Sequence, residues 1–102
     1  MNRKMALIGV LITWMSGTAL AQSDDSLQVR SWAAACANCH GTNGQAQPGN
    51  ESLAGVNKDE LVRKLMDFKS GRRPATIMHQ LSRGYTDEQL QAIAAYFASI
   101  KK

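Results

Sequence analysis

Among 102 residues there are only two cysteines, two prolines and six aromatic side chains, and the shortage of cysteine excludes most. Cys36 and Cys39 stand three positions apart, so a disulfide between them would close too short a loop to constrain the unfolded chain. A disulfide-stapled scaffold is therefore ruled out. No stretch alternates apolar with polar residues as a half-buried strand would, and no segment repeats, which leaves neither a sheet nor a solenoid to expect. Long apolar runs are missing too. The longest, from about Met5 to Met15, is cut off by Ser16, Gly17 and Thr18, well short of the roughly 20 apolar residues that a membrane-spanning helix needs.

That run has another meaning. It follows Asn2, Arg3 and Lys4 and leads into Ala19-Leu20-Ala21, a small-residue site of the A-x-A kind, which together read as a secretory signal peptide over residues 1–21 cleaved after Ala21. Its removal would leave the 81 residues from Gln22 to Lys102, one domain, exported to the periplasm with no membrane span in the mature chain. The formal charge of +4 shrinks as well, because Arg3 and Lys4 go with the leader, leaving ten basic against eight acidic residues. A balance of +2 gives no dense basic face, so nucleic acid is not an expected partner. A domain of this size rarely gets more than a few kcal/mol from an unaided core, and something other than a disulfide must hold it together.

The polar start, Gln22 to Asp25, precedes an all-α pattern. A first helix is expected from near Ser26 through Leu27, Val29, Trp32 and Ala33 to the cysteines, with alanines at 33 to 35 favouring it. Glycines 41, 44, 49 and 55, with Pro48 and Asn50, mark a long loop. Asn57 with Glu60 three residues later has the form of a capping box for a second helix, whose Leu61, Leu65 and Phe68 share a face and which Gly71 ends. Pro74 suits the first position of a short third helix through Ile77, Met78 and Leu81, closed by Gly84. Thr86 and Gln89 cap a final helix in which Leu90, Ile93, Ala94, Phe97 and Ile100 recur at helical spacing.

Cys36-Ala37-Asn38-Cys39-His40 is C-x-x-C-H, the attachment signature for c-type haem. Two thiols three positions apart on one helical turn can each form a thioether to a different vinyl group of one porphyrin, and the next residue, His40, is carried under the iron as an axial ligand. A thioredoxin-like pair would need a βαβ setting and more chain, and zinc held by Cys36, Cys39, His40 and His79 would require adjacent residues to ligate one tetrahedral ion. Covalent haem also supplies the missing staple. For the opposite axial position the soft or imidazole candidates are Met66, Met78 and His79. Met66 sits within an amphipathic helix where methionine is commonly a core filler, while Met78 follows the Gly71 to Pro74 break that can turn it toward the far haem face. His79 in its place would lower the potential.

The strings CANCHGTNG, SLAG, FKSGRRPATIMHQL and GYTDEQLQAIAAYFA run through nearly all of the mature chain and resemble the small bacterial class I cytochromes c. The resemblance implies a single domain, about four helices wrapped around one covalent haem c, with Met78 as the methionine ligand and with Tyr96 and Phe97 packed across the first helix near Trp32 and Ala33. It also implies a backbone carbonyl that hydrogen-bonds the ligand histidine, usually from the second of two prolines. Pro48 matches the first, and Glu51 stands in the place of the second. The stretch from Phe68 to Met78, with Gly84-Tyr85-Thr86-Asp87, is similar to the haem subunit of flavocytochrome c sulfide dehydrogenase. The partner so implied is a redox protein, a flavoprotein that oxidises sulfide and reduces this haem.

The expectation is thus a periplasmic monohaem cytochrome transferring single electrons, as such a haem subunit or, alternatively, as a free soluble carrier between dehydrogenases and a terminal oxidase or reaction centre. With His40 and Met78 on the iron no catalysis is expected there, whereas a sensor or peroxidase would need an open iron site. Leu53, Leu65, Phe68 and Ile77 are expected to line the haem pocket. Arg63, Lys64, Lys69, Arg72 and Arg73 form a basic cluster that reads either as a solvated helix face or as a docking patch for an acidic partner.

Overall fold

The computed structural model describes residues 22–102 together with Gly9 and Ile12. The signal peptide expected over residues 1–21 and its expected cleavage point after Ala21 otherwise lie outside the described residues. Five helices follow one another, α1 (Gln22–Ala34), α2 (Ala37–His40), α3 (Lys58–Ser70), α4 (Met78–Arg83) and α5 (Asp87–Ala98), with a 3-10 turn at Thr42–Gly44 and no strand among the described residues. None of the described helices is long and apolar enough to cross a membrane.

α5 supplies the spine. Thr86 Oγ1 accepts from the amide of Gln89 at 3.1 Å while Gln89 Oε1 accepts from the amide of Thr86 at 2.9 Å, so the capping box closes reciprocally and satisfies first-turn donors that would otherwise lack partners. From this start Leu90, Ile93, Ala94 and Phe97 fall on one face and are all buried. Ile100 lies two residues past the end of the helix, yet still packs against this core.

α3 is capped only in part. Asn57 Oδ1 accepts from the Glu60 amide at 3.2 Å, but the Glu60 carboxylate turns to Lys64 one turn along instead of back to the cap. At its other end Gly71 takes φ +80, and the amides of Gly71 and Arg72 return to the carbonyls of Phe68 and Asp67 in a Schellman arrangement that glycine makes without a steric penalty. α1 begins four residues before the expected Ser26. It meets α5 through Ala33, whose small side chain is buried in one cluster with Ala94 and Phe97.

The expected start of the third helix at Pro74 is corrected. Residues 72–77 are irregular and α4 starts at Met78, with Ile77 as an N-cap that offers no side-chain acceptor. Arg73, which would have capped a helix beginning at Pro74, has no acceptor to offer either, and its amide is spent on the carbonyl of Asp67. The interior is thin. Among the described residues Leu61, Leu90, Ile93 and Phe97 are the large apolar side chains that are buried, and each of them also forms part of a cavity wall.

Replacing Thr86 by alanine should lower stability by about 1 kcal/mol, and Phe97→Ala by about 3–5 kcal/mol. Thermal melts of the purified variants should rank them in that order; equal losses would show that Phe97 is not an essential part of the core.

Candidate functional site

α2 is a single turn, and what surrounds it explains why. The amide of Cys36 bonds the carbonyl of Ala33 at 3.0 Å, closing α1, and the amide of His40 returns to the carbonyl of Cys36 at 2.9 Å, opening the next turn. Both cysteines and His40 therefore ride on one tight coil that starts where α1 leaves α5. Gly41 stops it at φ +83, in a place where a Cβ would collide with the carbonyl of Gln45. Only glycine fits there.

This coil faces a cavity of about 1320 Å³, counting its open mouth. Cys36, Cys39 and His40 form one side, Leu65 and Phe68 come from α3, and Ile77, Met78 and Leu81 from the start of α4, with Leu90 and Ile93 among the α5 residues that line it. Leu53 also lines the space. The four pocket residues expected from sequence are thus all on its walls.

Of the three candidates for the second axial position, Met78 lines the cavity, whereas Met66 and His79 do not. His79 is half-buried with its Nδ1 buried and unpartnered. The late start of α4 matters here, since it sets Met78 in the first turn beside the cavity.

His40 is held through its ring. Nδ1 lies 2.5 Å from the carbonyl oxygen of Glu51. A carbonyl can only accept, so Nδ1 carries the proton and donates, and in the neutral ring the lone pair of Nε2 is then available to a metal. Glu51 performs this task with its backbone, so the side chain in that place is free for another: its carboxylate takes Lys64 Nζ at 2.6 Å. That contact is the main cause holding the Lys64 ammonium above its usual range, and Lys64 also reaches Glu60 at 3.2 Å.

The two thiols are free, Cys36 half-buried and Cys39 exposed. Burial pushes the Cys36 thiol up, with its own backbone hydrogen bond as a smaller opposing influence. A redox-active C-x-x-C pair needs the opposite, a thiol drawn down toward thiolate. These side chains fit covalent haem instead: two thiols beside a histidine with a free Nε2, a thioether on the same cavity, and apolar walls between them. One polar atom completes the fit and was not legible from sequence. Ser82 is 1 % exposed, lines the cavity and has no hydrogen-bond partner for Oγ, leaving bonding capacity for a group that would fill the space. Its only sequence signal is its position one turn after Met78.

The basic cluster is largely neutralised within the chain. Lys64 pairs with Glu51 and Glu60, Lys69 with Asp87 at 2.7 Å, and Arg72 and Arg73 both approach Asp67, at 3.4 and 3.8 Å. Arg63 is its one member with no acidic partner among the described residues. These positions therefore read as a paired, solvated face.

Comparison with known proteins agrees with this geometry. The family model Cytochrome c matches residues 29–101. The cytochrome subunit of sulfide dehydrogenase from Chlorobaculum tepidum is 39% identical over 67 residues, 66% of this chain and 61% of that protein. Cytochrome c4 of Pseudomonas aeruginosa is 36% identical over 97 residues, 93% of this chain and 48% of that one. The chain thus spans 61% and 48% of the length of these two relatives. The solved structure of Acidithiobacillus ferrooxidans cytochrome c4 superposes with a TM-score of 0.62 at 35% identity, over 65% of this chain and 38% of that one.

Gly41→Ala, which places a Cβ against the Gln45 carbonyl at positive φ, should lose more than about 1 kcal/mol and should lose far more than Gly49→Ala, where the backbone angle is strained but no atom lies within 4 Å. Chemical denaturation of the two variants would measure the difference, and equal losses would mean that the close approach after His40 is not required.

Proposed function

The chain belongs to the cytochrome c family and carries covalently bound haem c, and from that premise we propose that it transfers single electrons between periplasmic redox proteins as the haem subunit of a sulfide dehydrogenase. Haem supplies a one-electron iron couple; the chain's own residues attach it, orient it and keep water from it. Cys36 and Cys39 would anchor it through thioethers, and His40, through Nε2, and Met78, through its sulfur, would be the ligands that hold its iron. The observation that carries this assignment is that all four residues border a single apolar cavity, with the His40 ring already oriented by Glu51.

The neighbouring residues serve that pair of ligands. Leu65, Phe68 and Ile77 exclude water from the space between them, which together with a thioether donor raises the reduction potential. With His40 and Met78 both holding the iron, no position would be left on it for a substrate. The chain is then an electron conduit whose turnover depends on what docks against it.

Assignment as a subunit, with a flavoprotein that oxidises sulfide as the donor, draws its support from the likeness to the Chlorobaculum tepidum cytochrome subunit of sulfide dehydrogenase. Export by a cleaved signal peptide over residues 1–21, giving a mature chain from Gln22, draws its support from the basic, apolar and small-residue order of that segment. A free electron carrier is the second reading, favoured by the likeness to cytochrome c4 over 93% of this chain.

Two measurements test these statements. Met78→Ala should abolish the low-spin methionine–histidine spectrum while leaving the haem attached, and Met66→Ala should keep that spectrum and lose at most about 2 kcal/mol of stability; the reverse would assign the ligand to Met66. Gel filtration of the protein at native level from its own periplasm, following haem and flavin absorbance together, should show co-elution and haem reduction on addition of sulfide. Haem eluting alone without that reduction would make the chain a free carrier.

A further inference from the structure

The carbonyl that orients His40 lies in a segment with no helix to hold it. Downstream of Glu51 the loop is well tied: Ser52 Oγ accepts from the amide of Ala46 at 2.9 Å, and the amides of Leu53 and Ala54 share the carbonyl of Gly44 at 2.8 and 3.1 Å. Upstream a single turn bond, from the amide of Asn50 to the carbonyl of Gln47 at 3.1 Å, is what holds it. Gly49, at φ +99, has nothing within 4 Å of where a Cβ would stand, and residues 47 to 50 are exposed. Glu51 is at the boundary, and unlike proline it does not fix its own φ.

What holds Glu51 from outside is Lys64. Its ammonium reaches over from α3 to within 2.6 Å of the Glu51 carboxylate and is itself steadied by Glu60, one turn earlier on the same helix, at 3.2 Å. The Lys64 side chain is 23 % exposed and lies along the cavity wall, so it is not a freely waving surface lysine. A three-member arrangement of this kind fixes geometry better than an isolated exposed pair does. It also connects the helix that carries Leu65 and Phe68 to the loop that carries the His40 acceptor.

We propose that Lys64 is a positioning residue for the axial histidine: through its ion pair with Glu51 it holds in place the carbonyl that receives the Nδ1–H of His40. This rests on the reading of His40 as an iron ligand. The latch acts on orientation and not on the fold as a whole, because the helices are joined independently by the cluster of Ala33, Leu61, Ile93, Ala94 and Phe97. Its loss should therefore loosen one hydrogen bond and leave the rest of the protein as it was.

Solvent exchange of the His40 Nδ1 proton, followed by NMR in the reduced haem-bound protein, measures that bond directly. Lys64→Met and Glu51→Gln should each speed the exchange about two- to fivefold, the range open to a partly exposed ion pair, and the double variant should be no faster than either single one. Lys64→Arg should keep the original rate, Glu60→Gln should speed the exchange by less than Lys64→Met does, and the amides of Ile93 and Ala94 should exchange alike in all variants. An unchanged rate in Lys64→Met, or an acceleration matched by the amides of α5, would overturn the latch. The wild-type His40 ring resonances separate the two ideas. If they lack the upfield shift of a ring bound above a porphyrin, the ligand reading falls and the latch with it; if the shift is present and the rate is insensitive to Lys64, the latch alone falls.

Discussion

Where α1 crosses α5, Ala33 is buried together with Ala94 and Phe97, and the position of the C-x-x-C-H coil follows from this contact. Small side chains at 33 and 94 let the helix backbones approach closely, so α1 ends beside α5 and the coil with Cys36, Cys39 and His40 opens onto the residues α5 turns inward. Phe97 reinforces the junction from the other side of the turn: its ring lies 2.8 Å from where a Cβ on Gly44 would stand, which ties the loop after His40 to the same helix. The close fit of Gly44, like that of Gly41, means that the chain around the C-x-x-C-H motif has little room to take another path.

The same residues serve as core and as binding wall. Leu61, Leu90, Ile93 and Phe97 are buried, yet each borders the cavity, so the protein interior is one-sided until a large apolar group covers it. In a domain this small, fixing the backbone costs about as much as the available apolar burial returns. Covalent attachment of haem changes the balance by adding apolar surface that cannot dissociate. Ile77 and Leu81, exposed large side chains that line the cavity, are understandable in that light, since a haem in that space would give them apolar surface to pack against.

Charge is arranged to stabilise corners. Lys69 Nζ bonds both the carbonyl of Tyr85 at 2.8 Å and the Asp87 carboxylate at 2.7 Å, which fastens the end of α3 to the turn before α5. Asp67 collects Arg72 and Arg73 just past the Schellman turn, and the Arg73 guanidinium lies 5.7 Å over the ring of Phe68, backing a residue of the cavity wall. Tyr85 spans to the carbonyl of Trp32 on α1 at 3.4 Å. Burial raises its phenol above the usual range, so it stays a neutral donor at any ordinary pH.

Much of this was readable in the amino-acid order, because the signals concerned are local. The cap at Thr86 with Gln89, the apolar spacing of Leu90 to Phe97, the stop at Gly71 and the C-x-x-C-H coil each depend on residues within one or two turns of each other, where backbone geometry translates spacing directly into placement. The start of α4 was misread because proline permits a helix without compelling one, and no capping side chain precedes Pro74. Between Met66, Met78 and His79 the sequence could only argue, since the choice depends on how six irregular residues fold back from the end of α3. That Met78 meets His40 across one cavity, that Glu51 lends its carbonyl to one residue and its carboxylate to another, and that Ser82 is buried without a partner were decided by tertiary structure alone. Such contacts join positions separated by loops, and a loop's path is set by everything it packs against, not by its own residues.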